Sequence, residues 1–451
     1  MSNERSGFSS RLGFVLATAG SAVGLGNIWR FPYLAAKYGG GTFLLTYLIL
    51  TLTFGFSLMI TEVALGRKAG TSAIRAFGHF SKKYTFIGYL TTIIPFIIFP
   101  YYCVIGGWVT KYALVSIQGG IHNAASDTFF TGFISKSAEP MICVLVFLIV
   151  TTVVVVGGVK GGVERVSTIM MPVLIVLLIG VSLFCITRPG AMAGVAYYLK
   201  PNLKGFSPTT ILAALGQLFY SMSLAMGIMI TFGSYMPKKA DLEKSVTQVE
   251  IFDTGVAFLA GLMIVPAVFV FSNGDSSMLA KGPSLMFVML PKVFDSMAFS
   301  SVIAAVFFIL VLLAALTSSI SLLETLVAVL MDKFHMKRGT ACITMFIIAL
   351  LLAVPSSLGF GAWSNITILG FDFLDFFDFI SNSVLMPIAA FLTCLFVGYI
   401  IKPKVIVDEV ESSGEFKRKP LFLIMVKYIA PICIVAILVF SVLEGLGFIT
   451  V

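Results

Sequence analysis

Residues 19–27 read Ala19-Gly20-Ser21-Ala22-Val23-Gly24-Leu25-Gly26-Asn27, three glycines and an asparagine inside an apolar run of about residues 12–36. A second interruption, Ser221-Met222-Ser223-Leu224-Ala225-Met226-Gly227, sits inside the sixth apolar run, five runs later. Alone, either would read as close packing between helices. At corresponding places in two halves of one chain, the pair predicts broken helices meeting at mid-depth. Amides freed at a half-helix N-terminus attract an anion, and freed carbonyls attract a cation. One broken pair can therefore hold a carboxylate, an ammonium and small cations together.

Outward from these breaks, eleven apolar runs can be read: 12–36, 41–65, 86–117, 140–158, 164–187, 209–236, 251–274, 300–331, 338–355, 366–399 and 421–446. The chain of 451 residues is 58% apolar and only 11% charged, against about 25% charged residues in soluble domains. That deficit excludes a soluble enzyme, a disordered chain and a nucleic-acid binder, despite the net charge of +9. Long, nearly uncharged runs favour helices, because backbone groups in lipid must be satisfied within the segment. With the N-terminus inside, twenty of the thirty lysines and arginines fall on inner loops and six on outer ones. Eleven spans then place Val451 outside. The positive charge is topological and says nothing about an anionic substrate. The six cysteines lie in apolar runs and read as small packing residues, and the polar start carries no signal-peptide pattern.

The run Gly20-Ser21-Ala22-Val23-Gly24-Leu25-Gly26-Asn27-Ile28-Trp29-Arg30-Phe31-Pro32 resembles the neurotransmitter:sodium symporters, most of all their bacterial amino-acid branch. The likeness covers nearly the whole chain. It continues at Gly39-Gly40-Gly41, Glu62 with Gly66-Arg67, Tyr101-Tyr102 with Trp108, Gln217-Leu218-Phe219-Tyr220-Ser221-Met222-Ser223, and Leu316-Thr317-Ser318-Ser319. The resemblance implies an all-α integral membrane protein of the leucine-transporter type. One domain, 1–451, would comprise an inverted repeat over 12–187 (helices 1–5) and 209–399 (helices 6–10), discontinuous helices 1 and 6, and an eleventh helix over 421–446. The family's usual twelfth span is missing, which leaves homodimer contacts open.

The resemblance also implies two sodium sites and no organic cofactor. The first would use Ala22, Asn27, Ser221 and Asp253, completed by the substrate carboxylate. The second would use the carbonyls of Gly20, Val23 and Ala314 with the hydroxyls of Thr317 and Ser318. Alone, those hydroxyls would read as bonds back to their own helix. Asp253 is an intramembrane acid and hence a functional candidate. It would replace with a fixed carboxylate the chloride that animal members bind, and it is also a candidate for proton counter-transport. The competing reading is a boundary charge, one or two turns from the inner end.

Amine-transporting members carry an acid where this chain has Gly24. Its absence lets a substrate carboxylate approach the sodium and the amides of Leu25 and Gly26, with Tyr102 holding the same group. Carbonyls around Tyr220, Ser221 and Ser223 would face the ammonium, and Ser21, Ala22 and Ser318 belong to the same expected site. Ile98, Tyr220, Met226 and Leu322 would line an apolar side-chain pocket. Met226, where the leucine-preferring pattern has Phe, could widen that pocket, and Ala225, replacing a usual glycine, could shrink it. Arg30 would gate the outside with Asp375, favoured by spacing, or with Asp378 or Asp372. Arg5 would pair with Asp332 on the inside, near Ser234 and Tyr235, with Phe8 where the family often has Trp.

The sequence thus points to sodium-coupled, chloride-independent symport of a neutral, hydrophobic L-amino acid by alternating access, in the plasma membrane. The alternatives are a sodium-independent exchanger of the same fold and a non-transporting amino-acid sensor. No base–nucleophile pair or metal cluster suggests an enzyme, and the three histidines fall near loops. Expected partners are the amino acid and the bilayer, without nucleic acid.

Overall fold

The computed structural model describes residues 7–202, 206–272 and 283–448. Its described residues form helices joined by short loops. Among the described residues, nine helices are long and apolar enough to cross a membrane: Gly41–Ala69, Lys82–Ile117, Ala138–Val156, Val159–Ile186, Leu242–Phe271, Ser300–Phe334, Arg338–Leu358, Phe373–Ile400 and Lys419–Gly445. A further crossing is the pair Arg11–Ala22 and Gly26–Lys37, bent by 55°. The sixth apolar run is likewise split, into Pro208–Ser221 and Ile228–Tyr235. These eleven elements are called spans 1 to 11 in chain order. The face of the bundle where span 1 begins is the near face, and the opposite one is the far face.

Both breaks have a local cause. In span 6, Ser223, Ala225 and Gly227 all take positive φ (52°, 62° and 72°), a left-handed conformation that cannot continue a right-handed helix. In span 1, Val23 is extended at φ −73°, ψ 97°. The two breaks lie against each other. Ser223 Oγ is 3.0 Å from the Ser21 carbonyl, the Asn27 amide donates to Ser221 Oγ at 3.0 Å, and Gln217 Nε2 donates to the Gly26 carbonyl at 3.0 Å. The backbone groups released by unwinding therefore face protein rather than lipid, the condition under which irregular backbone persists at membrane depth.

Span 7 corrects the sequence reading. Its helix begins at Leu242, not near 251, and Asp241 caps it by accepting from the Lys244 N–H at 3.0 Å. Asp253 is thus about three turns inside the helix, fully buried. The boundary-charge reading of Asp253 is wrong. Span 7 extends this far because its early acids are neutralised. Glu250 accepts from Arg418 at 2.9 Å, and Glu243 accepts the backbone N–H groups of Lys417 and Arg418 at 2.7 and 3.0 Å. Those partners come from the segment just before span 11.

Candidate functional site

A cavity of about 40 Å³ sits between the two breaks. All thirteen positions expected to bind substrate line it: Ser21, Ala22, Gly24, Leu25, Gly26, Ile98, Tyr102, Tyr220, Ser221, Ser223, Met226, Ser318 and Leu322. Asn27 and Ile228 complete the wall. Ala225 is not part of it. It is absent from the lining and so does not narrow the cavity, and its N–H donates to Glu62 Oε1 at 2.7 Å. The walls are apolar at Ile98, Met226, Ile228 and Leu322 and polar toward the breaks. The Tyr102 hydroxyl is buried, flanked by Ser318 and the Leu25 backbone, yet without a hydrogen-bond partner among the described residues. Buried hydroxyls are normally paired, so an unpaired one aimed into a cavity marks a place for a ligand. Gly24 keeps this space open, since a Cβ would lie 2.7 Å from Ser318 Oγ and 3.5 Å from the Tyr102 hydroxyl.

Beside the cavity, carbonyls from the first break crowd one hydroxyl. Ser318 Oγ lies 3.5, 3.1 and 3.4 Å from the carbonyl oxygens of Gly20, Ser21 and Val23. One proton cannot satisfy three acceptors, so the cluster is short of positive charge. Thr317 Oγ1 adds a hydroxyl bonded to the carbonyls of Leu313 and Ala314 at 3.1 and 3.0 Å. Thr317 does bond back to its own helix, whereas Ser318 reaches across to span 1. Hard, uncharged oxygens in this number suit a monovalent cation.

On the other side of the break, Asp253 Oδ1 accepts from Asn27 Nδ2 and Ser221 Oγ, both at 2.8 Å. Its Oδ2 accepts from the Tyr47 hydroxyl at 3.3 Å. The Asn27 amide turns its nitrogen to Asp253 and its oxygen to the Gly24 N–H at 3.1 Å, toward the turn that carries Ala22. The four residues expected at the first cation site are therefore gathered around one turn, with a carboxylate among them. Tyr47 was not singled out from the sequence, and Gln217 and Glu62 were quoted without a role. An acid in the second apolar run was the available signal for Glu62.

On the far face a vestibule of about 510 Å³ opens above the cavity. Tyr220 lines both, and the Arg30 guanidinium lies over its ring at 5.3 Å. Of the three acids considered, Asp372 caps its helix by accepting from the Asp375 N–H at 2.8 Å. Asp375 is exposed on the vestibule wall. Asp378 accepts from the Tyr101 hydroxyl at 3.1 Å and from Asn382, within the field of Arg30. Asp375 and Asp378 both line the vestibule.

On the near face, Phe8 packs edge-on against Phe14, Phe232 and Tyr235, and its N–H donates to the Tyr235 carbonyl at 3.0 Å. Asp332 Oδ2 accepts from the N–H and hydroxyl of Ser72 at 2.7 and 2.5 Å. Arg5, its expected partner, lies outside the described residues.

Comparison with known proteins identifies the family and the fold. The model of the sodium:neurotransmitter symporter family matches residues 5–131 and 128–446. The sodium-dependent transporter YhdH of Bacillus subtilis is 35% identical over 95% of this chain and 96% of its own length. A sodium-dependent transporter of Methanocaldococcus jannaschii is 32% identical over 96% of this chain and 90% of its own. Among solved structures, MhsT in complex with L-phenylalanine superposes with a TM-score of 0.87 at 38% identity, covering 97% of this chain and all of that one.

Proposed function

We propose, given that this chain belongs to the sodium:neurotransmitter symporter family, that it imports a neutral, hydrophobic L-amino acid with sodium by alternating access. The observation that carries the reading is the cavity between the two breaks. It has an unpaired tyrosine hydroxyl and glycine-rich turn at one end and apolar walls at the other. That is the polarity of an amino acid with an uncharged side chain. The bound ligand in the MhsT structure, L-phenylalanine, is of the same chemical class.

In this reading the substrate carboxylate takes the Tyr102 hydroxyl and the amides of Leu25 and Gly26. One sodium ion sits with Ala22, Asn27, Ser221 and Asp253, the other with Gly20, Val23, Ala314, Thr317 and Ser318. Substrate and ion complete each other's coordination, so each raises the other's affinity. Asp253 supplies the negative charge at that turn, which makes transport independent of chloride. Arg30 with Asp378, above Tyr220, forms the far gate. Phe8 and Asp332 belong to the near one. The near face is cytoplasmic, as the lysine and arginine distribution favours, in the plasma membrane. The halves over 12–187 and 209–399 form the two repeats.

The test is accumulation of labelled neutral amino acids in proteoliposomes, with sodium then potassium outside, and with gluconate replacing chloride. Sodium-driven accumulation that ignores chloride is expected. Accumulation in potassium would instead support an exchanger, and binding without accumulation a sensor.

A further inference from the structure

The near end of span 1 is held by an acid that the transport site does not use. Glu164 lies at the start of span 5, buried at 6% exposure. Its carboxylate accepts the Ser9 N–H at 2.8 Å and the Ser9 hydroxyl at 2.6 Å, and the Ser10 hydroxyl lies 3.3 Å away. Ser10 is the N-cap of span 1, accepting from the Gly13 N–H at 2.9 Å. Gly13 supplies the room, since a Cβ there would lie 1.8 Å from Glu164 Oε1. Ser9, Ser10 and Gly13 thus fit one carboxylate from another span. Both carboxylate oxygens of Glu164 are thus directed at the start of span 1. Hydrogen bonds to a charged acceptor are about twice as strong as neutral ones, and the positive end of a helix favours an anion.

The half-helix fastened in this way, Arg11–Ala22, carries the Gly20 carbonyl at its other end, followed by Val23. Both face Ser318. A short rigid rod held at one end decides where its other end lies. We propose that Glu164 is a positioning residue for sodium: by latching Ser9 and Ser10 it holds the half-helix where its carbonyls close on Thr317 and Ser318. By reciprocity, a cation at that cluster strengthens the latch, and its departure loosens the near face.

Hydrogen exchange of the purified full-length protein, titrated with sodium chloride against a potassium chloride control, tests this without a known substrate. In the wild type, sodium protects the amides of residues 8–16. In Glu164→Ala the sodium concentration for half-protection is expected to rise about tenfold, the loss of one charge-assisted hydrogen bond, while span 9 exchanges as in the wild type. Glu164→Gln, which keeps one acceptor oxygen, should fall between. Gly13→Ala leaves the acid in the chain but takes its room, and should reproduce the alanine variant. An unchanged sodium midpoint in the Glu164 and Gly13 variants overturns the latch alone. So does faster exchange spread through spans 4 and 5 in either salt, which marks a structural role only. A wild type whose span 1 ignores sodium overturns both the latch and the sodium reading beneath it.

Discussion

Replacing Asp253 by asparagine changes almost no volume and removes one charge. The carboxylate is fully buried and takes hydrogen bonds from Asn27, Ser221 and Tyr47 at 2.8, 2.8 and 3.3 Å. The asparagine keeps one acceptor oxygen but turns an NH2 group toward the remaining donors. At least one charge-assisted bond is lost, worth about 1.5–3 kcal/mol, and a buried donor is left unsatisfied for about 1–3 kcal/mol more. A combined cost of about 3 kcal/mol corresponds to roughly two orders of magnitude in affinity. Because the same turn is the proposed first sodium site, the loss should appear in the sodium dependence of uptake. The assay is initial uptake in proteoliposomes against external sodium, in chloride and in gluconate. Wild-type uptake should be equal in the two anions, and Asp253→Asn should need about a hundredfold more sodium. Asp253→Ser, which clears space beside Tyr47 and Ser221, should regain activity in chloride but not in gluconate. A sodium midpoint within about twofold of wild type (some 0.4 kcal/mol), or wild-type uptake that fails in gluconate, would refute the fixed-anion role.

Removing both hydroxyls at the second cluster, Thr317→Val with Ser318→Ala, should abolish sodium-dependent uptake; unchanged uptake would remove that cluster from the account. Tyr102→Phe should weaken amino-acid binding about ten- to a hundredfold, the worth of one hydrogen bond to a charged group, as read by equilibrium binding in sodium. Asp378→Asn should speed substrate release to the far face, measured as dissociation of labelled amino acid, whereas Asp375→Asn should leave it near wild type. The reverse order would restore Asp375 as the gate acid.

The broken spans were legible because lipid enforces a strict rule. A membrane-crossing segment that interrupts its own hydrogen bonding with glycines must have somewhere to place the released groups, and two such segments at matching places can serve each other. The same rule makes the spans readable from apolar runs, and the hydroxyls of Thr317 and Ser318 gain meaning beside the first break.

What composition and spacing could not decide were matters of partnership across the fold. Span 7 appeared to start near 251 because Glu243, Lys244 and Glu250 interrupt its apolar pattern. Only the packing reveals that Arg418, far along the chain, neutralises Glu243 and Glu250 and lets the helix run on, which carries Asp253 from a boundary to the interior. Asp375 and Asp378 are three residues apart on one helix, so periodicity treats them alike. Only the packing reveals that Tyr101 and Asn382 bond Asp378. Ala225 adjoins Met226 in sequence, yet it takes a left-handed backbone, lies outside the cavity lining and gives its N–H to Glu62. Glu164 stands at the end of an apolar run, where an acid is ordinarily solvated. Its meaning depends on Ser9, Ser10 and Gly13, which no local pattern connects to it. The sequence by itself determined which runs can cross, where two of them break and which oxygens the breaks release, because those follow from each segment's own hydrogen bonding. Which charges are paired, and therefore which remain to act on an ion or a gate, was decided only when distant segments were packed together.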